Sequence, residues 1–468
     1  VTALAMRSQR RARWGFVVLG AIEFLTVMDA SVVNIALPVI QEELGFDGSA
    51  VSWLITCYLI PFAGMLLLAG RLGDVVGHRR LFLVGTALFT LASAGCALAS
   101  ESWQLLIGRS AQGLGAALVV PAALALIAAI FAEGPQRNRA LAIFAGMGGI
   151  AAPVGLVVGG LLAGIQWSWI FWLNVPLGAV VLLLARTVLP ALPRSAARLD
   201  ILGGVAATGA VALLALAATA LAEPGPIPWT GAAIGALVCA AVLVWRQRSA
   251  REPLIPRALL RRRSVTVGAV LFMLVGTILL ATFYLVTLYL QQVRSLSPAA
   301  ATLVYLPLPL AMFAGTQLAP WLLARVAPRQ VLGLGFAIQG VSLALWTQTS
   351  TETGTLVTGL LLPALPWALG LGMSIVTAFV VCTSGVPGRD AGAASGLATS
   401  AYQGGGAVGL SLLAALAAAR SESLGGGTTA ELAGQHTALW ILALLAGFGV
   451  LLTRALPGTG RSADASLR

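Results

Sequence analysis

Two acidic residues and one arginine lie where ionic chemistry is costly, inside long apolar runs. Glu23 and Asp29 fall in the run 14–38, and Arg109 falls in the run 103–131. A charge at the centre of a hydrocarbon layer costs at least about 2.5–3.5 kcal/mol, so such side chains face a polar cavity or a partner. An arginine beside a carboxylate holds it ionised. Removing that partner in a dry interior favours the proton instead, and about three units of proton affinity correspond to roughly 4 kcal/mol. A carboxylate–arginine pair that forms and breaks can therefore take up and release a proton. Glu23 and Asp29 are six residues apart, about 120° out of register on a helix at about 100° per residue, which predicts that they do not share a face. The bland alternative for all three is structural, with each charge satisfied by backbone and packing.

The elements that must position these residues follow from hydropathy. Hydrophobic residues make up 59% and charged residues 9% of the 468 positions, whereas soluble domains carry about a quarter of their residues as charge. Apolar stretches of roughly 17–25 residues, each long enough to cross about 30 Å of hydrocarbon, recur along the chain. They predict membrane helices at about 14–38, 51–70, 81–99, 103–131, 141–165, 169–189, 202–222, 229–245, 265–290, 299–323, 331–346, 356–382, 391–419 and 437–452, fourteen in all. With the N-terminus taken as cytoplasmic, 25 of the 28 arginines fall on the inner side, the exceptions being Arg109, Arg294 and Arg420. That asymmetry follows the positive-inside rule and predicts a multi-pass inner (cytoplasmic) membrane protein with both termini cytoplasmic.

Composition also excludes classes of function. The net charge of +12 is spread over alternate loops, which reads as topology against anionic lipid and not as a nucleic-acid surface. Lysine is absent, which removes a phosphate-binding loop with its lysine and a Schiff-base lysine, and so an ATP-driven pump within this chain. Cys57, Cys96, Cys239 and Cys382 are scattered singly and His78 and His436 lie at loops, so no metal site and no cofactor are expected. A membrane-embedded transferase would need a polar catalytic cluster near one interface, and none is evident.

Pro-rich and basic stretches at 190–198 and 246–263 divide the chain. The expected organisation is an N-terminal six-helix bundle at 1–190, a linker with two inserted helices at 191–263, and a C-terminal six-helix bundle with its tail at 264–468. The segment GRLGDVVGHRR (70–80) follows the second helix, and LARVAPRQ (323–330) echoes it weakly in the second half. Gly70, Asp74, Gly77, Arg79 and Arg80 are expected to form a loop at the cytoplasmic mouth, a latch made in one conformation and broken in another. Gly155, Gly159 and Gly160, with Gly146, Gly148, Gly149 and Pro153, load the fifth helix with residues that favour close packing and bending. Asn34, Gln112, Phe283, Tyr284, Tyr289, Tyr305, Tyr402 and Gln403 are candidates for a substrate cavity near the midplane between the halves. For the aromatics, packing and interface anchoring are the competing roles.

Taken together, these segments resemble the major facilitator superfamily, specifically its fourteen-helix drug:proton antiporters, from about 14 to 452. MDASVVNIALP (28–38) is similar to that family's helix 1 signature, whose Asp, here Asp29, is expected to couple protons. GRLGDVVGHRR resembles the loop 2–3 motif, RSAQGLG (109–115) the helix 4 motif whose arginine serves proton transfer, and GLVVGG (155–160) the antiporter motif. WSWIFWLNVPLG (167–178) and EPLIPRALLRRRS (252–264) are further family signals. Three positions depart from the pattern: Val75 replaces a basic residue, Leu156 replaces the motif's proline, and Ser168 replaces a basic residue. The resemblance implies an all-α polytopic fold of two six-helix bundles plus two inserted helices. It implies a monomeric, proton-coupled exporter of small amphipathic molecules such as drugs or antibiotics, with protons and membrane lipid as its other partners. The departure at Leu156 keeps a rival open, a proton symporter or facilitator importing a nutrient. Acidic residues are missing from the last six predicted helices, which argues against dicationic substrates.

Overall fold

The computed structural model describes residues 2–46, 53–131, 135–192, 200–222, 228–250, 253–351, 354–386 and 391–456, and every regular element among them is helical. The first half holds α1 (Thr2–Leu44), α2 (Trp53–Val76), α3 (His78–Ala97), α4 (Ser102–Ile130), α5 (Pro135–Ala163) and α6 (Asn174–Val188). Then come α7 (Ile201–Ala222) and α8 (Trp229–Ser249). The second half holds α9 (Arg263–Leu288), α10 (Pro307–Leu323), α11 (Pro328–Thr349), α12 (Leu362–Thr383), α13 (Ala391–Ser423) and α14 (Thr428–Thr453). Twelve helices among the described residues are long and apolar enough to span a bilayer, or thirteen when α2, bent by 55° after Leu66, is taken as one span. The remaining expected span, 141–165, coincides with α5, a continuous helix of 29 residues and about 43 Å.

Two expectations are corrected. GRLGDVVGHRR is not a loop: α2 runs through Val76 and α3 starts at His78, so Gly77 alone makes the corner, at a φ of 103° that favours glycine. Gly70 and Asp74 are helical residues, while Arg79 and Arg80 belong to the first turn of α3. The run 299–323 is two pieces, Pro298–Tyr305 and α10, because Pro307 and Pro309 supply no N–H to continue the ladder.

Packing obeys a pseudo-two-fold. α1 lies against α5 and α6, and α4 against α2 and α3; correspondingly α9 lies against α13 and α14, and α12 against α10 and α11. The crossings repeat in atomic detail. A Cβ on Gly85 would sit 2.8 Å from the carbonyl of Gly115, and one on Gly335 would sit 2.9 Å from that of Gly370. Gly155 meets the carbonyl of Met28 as Gly405 meets that of Met273. Carbon–oxygen contact normally needs more than 3 Å, so only glycine lets these backbones touch. The two halves meet along α2 with α13 and α5 with α10, again related by the pseudo-symmetry. α7 lies over the first of these seams, touching both α2 and α13, whereas α8 packs on α7 and fully buries only Ala232 and Ala236.

Side chains at the crossings should therefore be poorly tolerated. Gly155→Leu is expected to lower the melting temperature in detergent by many degrees or prevent folding. Gly447→Ala, which meets nothing within 4 Å, should be neutral or stabilise by about 0.5–1 kcal/mol. Thermal unfolding of the two purified variants checks both.

Candidate functional site

Asp29 and Arg109, 80 residues apart in sequence, are brought together inside the N-terminal bundle, each 1% exposed. Arg109 Nη1 donates to Asp29 Oδ2 at 2.5 Å and to Gln112 Oε1 at 2.8 Å, and its Nε donates to the carbonyl of Leu54 at 3.1 Å. The guanidinium carbon lies 4.5 Å from the ring centroid of Tyr58. Asp29 Oδ1 accepts from Asn174 Nδ2 at 2.6 Å and from Gln112 Nε2 at 3.2 Å. The Gln112 amide also donates to Ser93 Oγ at 2.8 Å. Five helices thus converge: α1 carries the carboxylate, α4 the guanidinium and Gln112, α2 the Tyr58 face, α3 Ser93, and α6 Asn174.

Local packing explains the convergence. Gly113 lets α4 press against the backbone of Tyr58, which levels Arg109 with the start of α2. Gly155 and Gly159 hold α5 against the backbone of Met28 and Val32, on either side of Asp29 in the chain. Stripping water from an ion pair costs several kcal/mol per ion, and only good geometry with every remaining polar atom satisfied offsets it. Here the carboxylate has three donors and the guanidinium a carbonyl, an amide oxygen and an aromatic face.

Glu23 behaves differently. It is partly buried, its Oε2 has no hydrogen-bond partner, and like Asp29 it acts electrostatically on Tyr58.

The latch residues make other bonds than a pairing of Asp74 with the arginines. Asp74 Oδ1 lies 3.1 Å from His78 Nε2. Gly73 leaves room for that imidazole. Arg79 donates to the carbonyl of Arg186, in the last turn of α6, where the helix dipole favours a cation. Arg80 is exposed, and Gly70 has open space toward Pro121. Gly160 is buried in α5.

The cavity candidates separate. Gln112 is enclosed in the charge network. Tyr305 is buried, bonded to Thr287 Oγ1 at 2.7 Å and stacked on Phe283 at 5.7 Å, and Phe283 in turn meets the buried Trp367 edge-on at 5.6 Å. Tyr289 is buried and donates to the carbonyl of Thr351. These three aromatics belong to the C-terminal bundle's own interior. Tyr284, with Leu280, Ala407 and Leu410, joins the apolar cluster of the N-terminal bundle, and Tyr402 and Gln403 are half-buried on α13. The side chain of Asn34 lies outside the described residues. Sequence reasoning gave no role to Asn174, Tyr58 or Ser93. The available signal for Asn174 was an uncharged amide inside the run 169–189.

Two pseudo-symmetric helical bundles, each too apolar for water and one enclosing an ion pair, define a polytopic membrane transporter. The description "Major Facilitator Superfamily" fits residues 19–410, and the chain belongs to that superfamily. It is 36% identical over 456 residues to the cephamycin export protein CmcT of Amycolatopsis lactamdurans, covering 94% of this chain and 91% of that one. It is also 36% identical over 417 residues to the puromycin resistance protein pur8 of Streptomyces alboniger, covering 86% and 81%. Against the uncharacterized MFS-type transporter EfpA of Mycobacterium tuberculosis it is 35% identical over 419 residues, covering 88% and 78%. Its fold matches that of a crystallised auto-inhibited POT family peptide transporter with a TM-score of 0.66 at 17% identity, covering 96% of both chains. The chain is thus a multi-pass membrane transporter acting on small molecules, and its named relatives include antibiotic exporters and resistance proteins.

The buried pair makes a distinct energetic prediction. Arg109→Ala strands a carboxylate and should cost about 3–5 kcal/mol, with the gap narrowing at lower pH where a proton can neutralise Asp29. The double substitution Asp29→Asn with Arg109→Gln should lose less than the single one, as thermal unfolding of purified protein will measure.

Proposed function

We propose that the chain is a proton-coupled antiporter that expels small amphipathic molecules by alternating access. The single observation that carries this reading is the sealed pairing of Asp29 with Arg109 in an otherwise apolar bundle. Protonation of Asp29, with Glu23 as an additional carrier, breaks the pairing, and the energy stored in it biases the two bundles toward one face of the membrane. The bundles are assigned to 1–190 and 264–468, with α7 and α8 in the linker 191–263 and both termini cytoplasmic. Asp74 with His78, Arg79 with the end of α6, and the glycines of α5 act as the gate. Tyr284, Tyr402 and Gln403 line the route between the halves with Phe283, Tyr289 and Tyr305 behind them, and Glu23 faces the substrate from α1.

The energetics suffice. One proton moving through 100 mV supplies about 2.3 kcal/mol, and one unit of pH difference about 1.4 more, enough for a gradient of several hundred-fold. The named relatives support export: one is a cephamycin export protein and another a tetracenomycin C resistance and export protein. In the second half, Glu422 and Glu431 are the acidic residues of the described membrane helices, and both sit at helix ends. A neutral or singly charged substrate fits that distribution better than a dication.

The test is flux of a fluorescent lipophilic drug in proteoliposomes under an imposed pH gradient. Proton-dependent counterflow is expected in the native protein, with a loss of at least tenfold in Asp29→Asn. If the native protein moves a panel of drugs only down their own gradients, regardless of pH, it is a facilitator and the antiport reading fails.

A further inference from the structure

Asp29 has one neutral amide donor that its pairing with Arg109 does not require. Asn174, the first residue of α6, is fully buried; its Nδ2 lies 2.6 Å from Asp29 Oδ1, and its own Oδ1 is buried with no partner. An orphaned buried carbonyl normally costs about 1–3 kcal/mol, so its retention beside an ion pair asks for a reason. A primary amide presents a donor on one edge and an acceptor on the other. Against an ionised carboxylate only the N–H edge can face inward, because a carbonyl there would be repelled. Against a carboxylic acid the other edge serves: a half-turn about the Cβ–Cγ bond lets Asn174 Oδ1 accept the new O–H at nearly the same separation.

We infer that Asn174 is a positioning residue that follows the charge of Asp29 by turning its amide, donating to the carboxylate while Arg109 is engaged and accepting from the acid once Arg109 is released. The proton arrives from hydronium, which leaves as water; the bond formed is O–H on Asp29 Oδ1. Arg109 then retains Gln112 Oε1, the Leu54 carbonyl and the Tyr58 face as partners. The amide thus keeps a hydrogen bond to Asp29 in both states, and the half-turn merely exchanges which of its two edges is left without a partner.

The groups that face Asp29 are few. α2 brings Tyr58, α3 brings Ser93 and Cys96, α4 brings Arg109 and Gln112, and α1 itself carries Glu23 one and two-thirds turns away. α5 offers the backbone around Gly155 and Gly159; its charged residues, Arg137 and Arg139, are at its far end. The turn Trp169–Trp172 and the piece Pro298–Tyr305 carry no charge, and α9 carries only Arg263 at its start. Asn174 is therefore the neutral group best placed to set how readily Asp29 takes a proton.

The inference rests on Asp29 being the proton carrier, and infrared difference spectroscopy separates the two ideas without needing a substrate. In purified native protein, the carboxyl band that disappears in Asp29→Asn reports the pH at which Asp29 is protonated. Asn174→Leu and the smaller Asn174→Ala remove both amide edges. A hydrogen bond to a charged group is worth about 1.5–3 kcal/mol and one to a neutral group about 0.5–1.5, so the ionised form loses more. The midpoint should rise by about one pH unit, roughly tenfold in proton affinity. The carbonyl stretch of the protonated acid should also shift, because its O–H loses the Asn174 acceptor while Gln112 remains in place. Variants that fold but leave midpoint and band position unchanged, even with slower transport, would show a packing role and overturn the amide switch. Absence of an Asp29 band in the native protein would instead overturn the carrier assignment itself.

Discussion

The structure depends on keeping one positive and one negative charge out of water within an apolar bundle. Arg109 and Asp29 are each 1% exposed, and neither could remain there alone. Arg109 is long enough to spread its donors over a carboxylate, an amide oxygen and a main-chain carbonyl while its flat face rests on Tyr58. An ammonium group would lack that planar fork. Each of α1, α2, α3, α4 and α6 contributes at least one group, so the ion pair ties the N-terminal bundle together.

The C-terminal bundle repeats the same crossings without the charges. The close approach of Gly85 to Gly115 has its counterpart in Gly335 with Gly370. Three residues before Gly115 stands Gln112, and three before Gly370 stands Trp367. The position that serves a charged network in one half is filled by an indole packed on Phe283 and Trp346 in the other. The inserted α7 bridges α2 and α13 from outside. It is anchored where Asp200 pairs with Arg246 at 2.9 Å and caps α7 through the backbone of Gly203.

Much of this was legible in the chain. Apolar length located nearly every helix, because a lipid solvent leaves few alternatives to helices for satisfying the backbone. Asp29 and Arg109 stood out since ions in such runs are expensive. The corner at Gly77 was harder to see: the polar residues of GRLGDVVGHRR suggest a loop, yet nothing there except one glycine breaks helical geometry. Aromatic residues were harder still, because a tyrosine in an apolar run looks the same whether its hydroxyl meets a ligand, as a cavity residue's would, or Thr287, as that of Tyr305 does.

By itself the sequence determined the solvent and the helical class, since each follows from the cost of placing polar groups in hydrocarbon. Only the tertiary structure decided which partner each residue took. Asn174 lies 145 residues from Asp29 along the chain, and Tyr305 stacks on Phe283 across a break between helices. Such contacts depend on where helices cross, and the crossings are set by backbone approach at a few glycines, a three-dimensional condition that no local pattern of hydropathy contains.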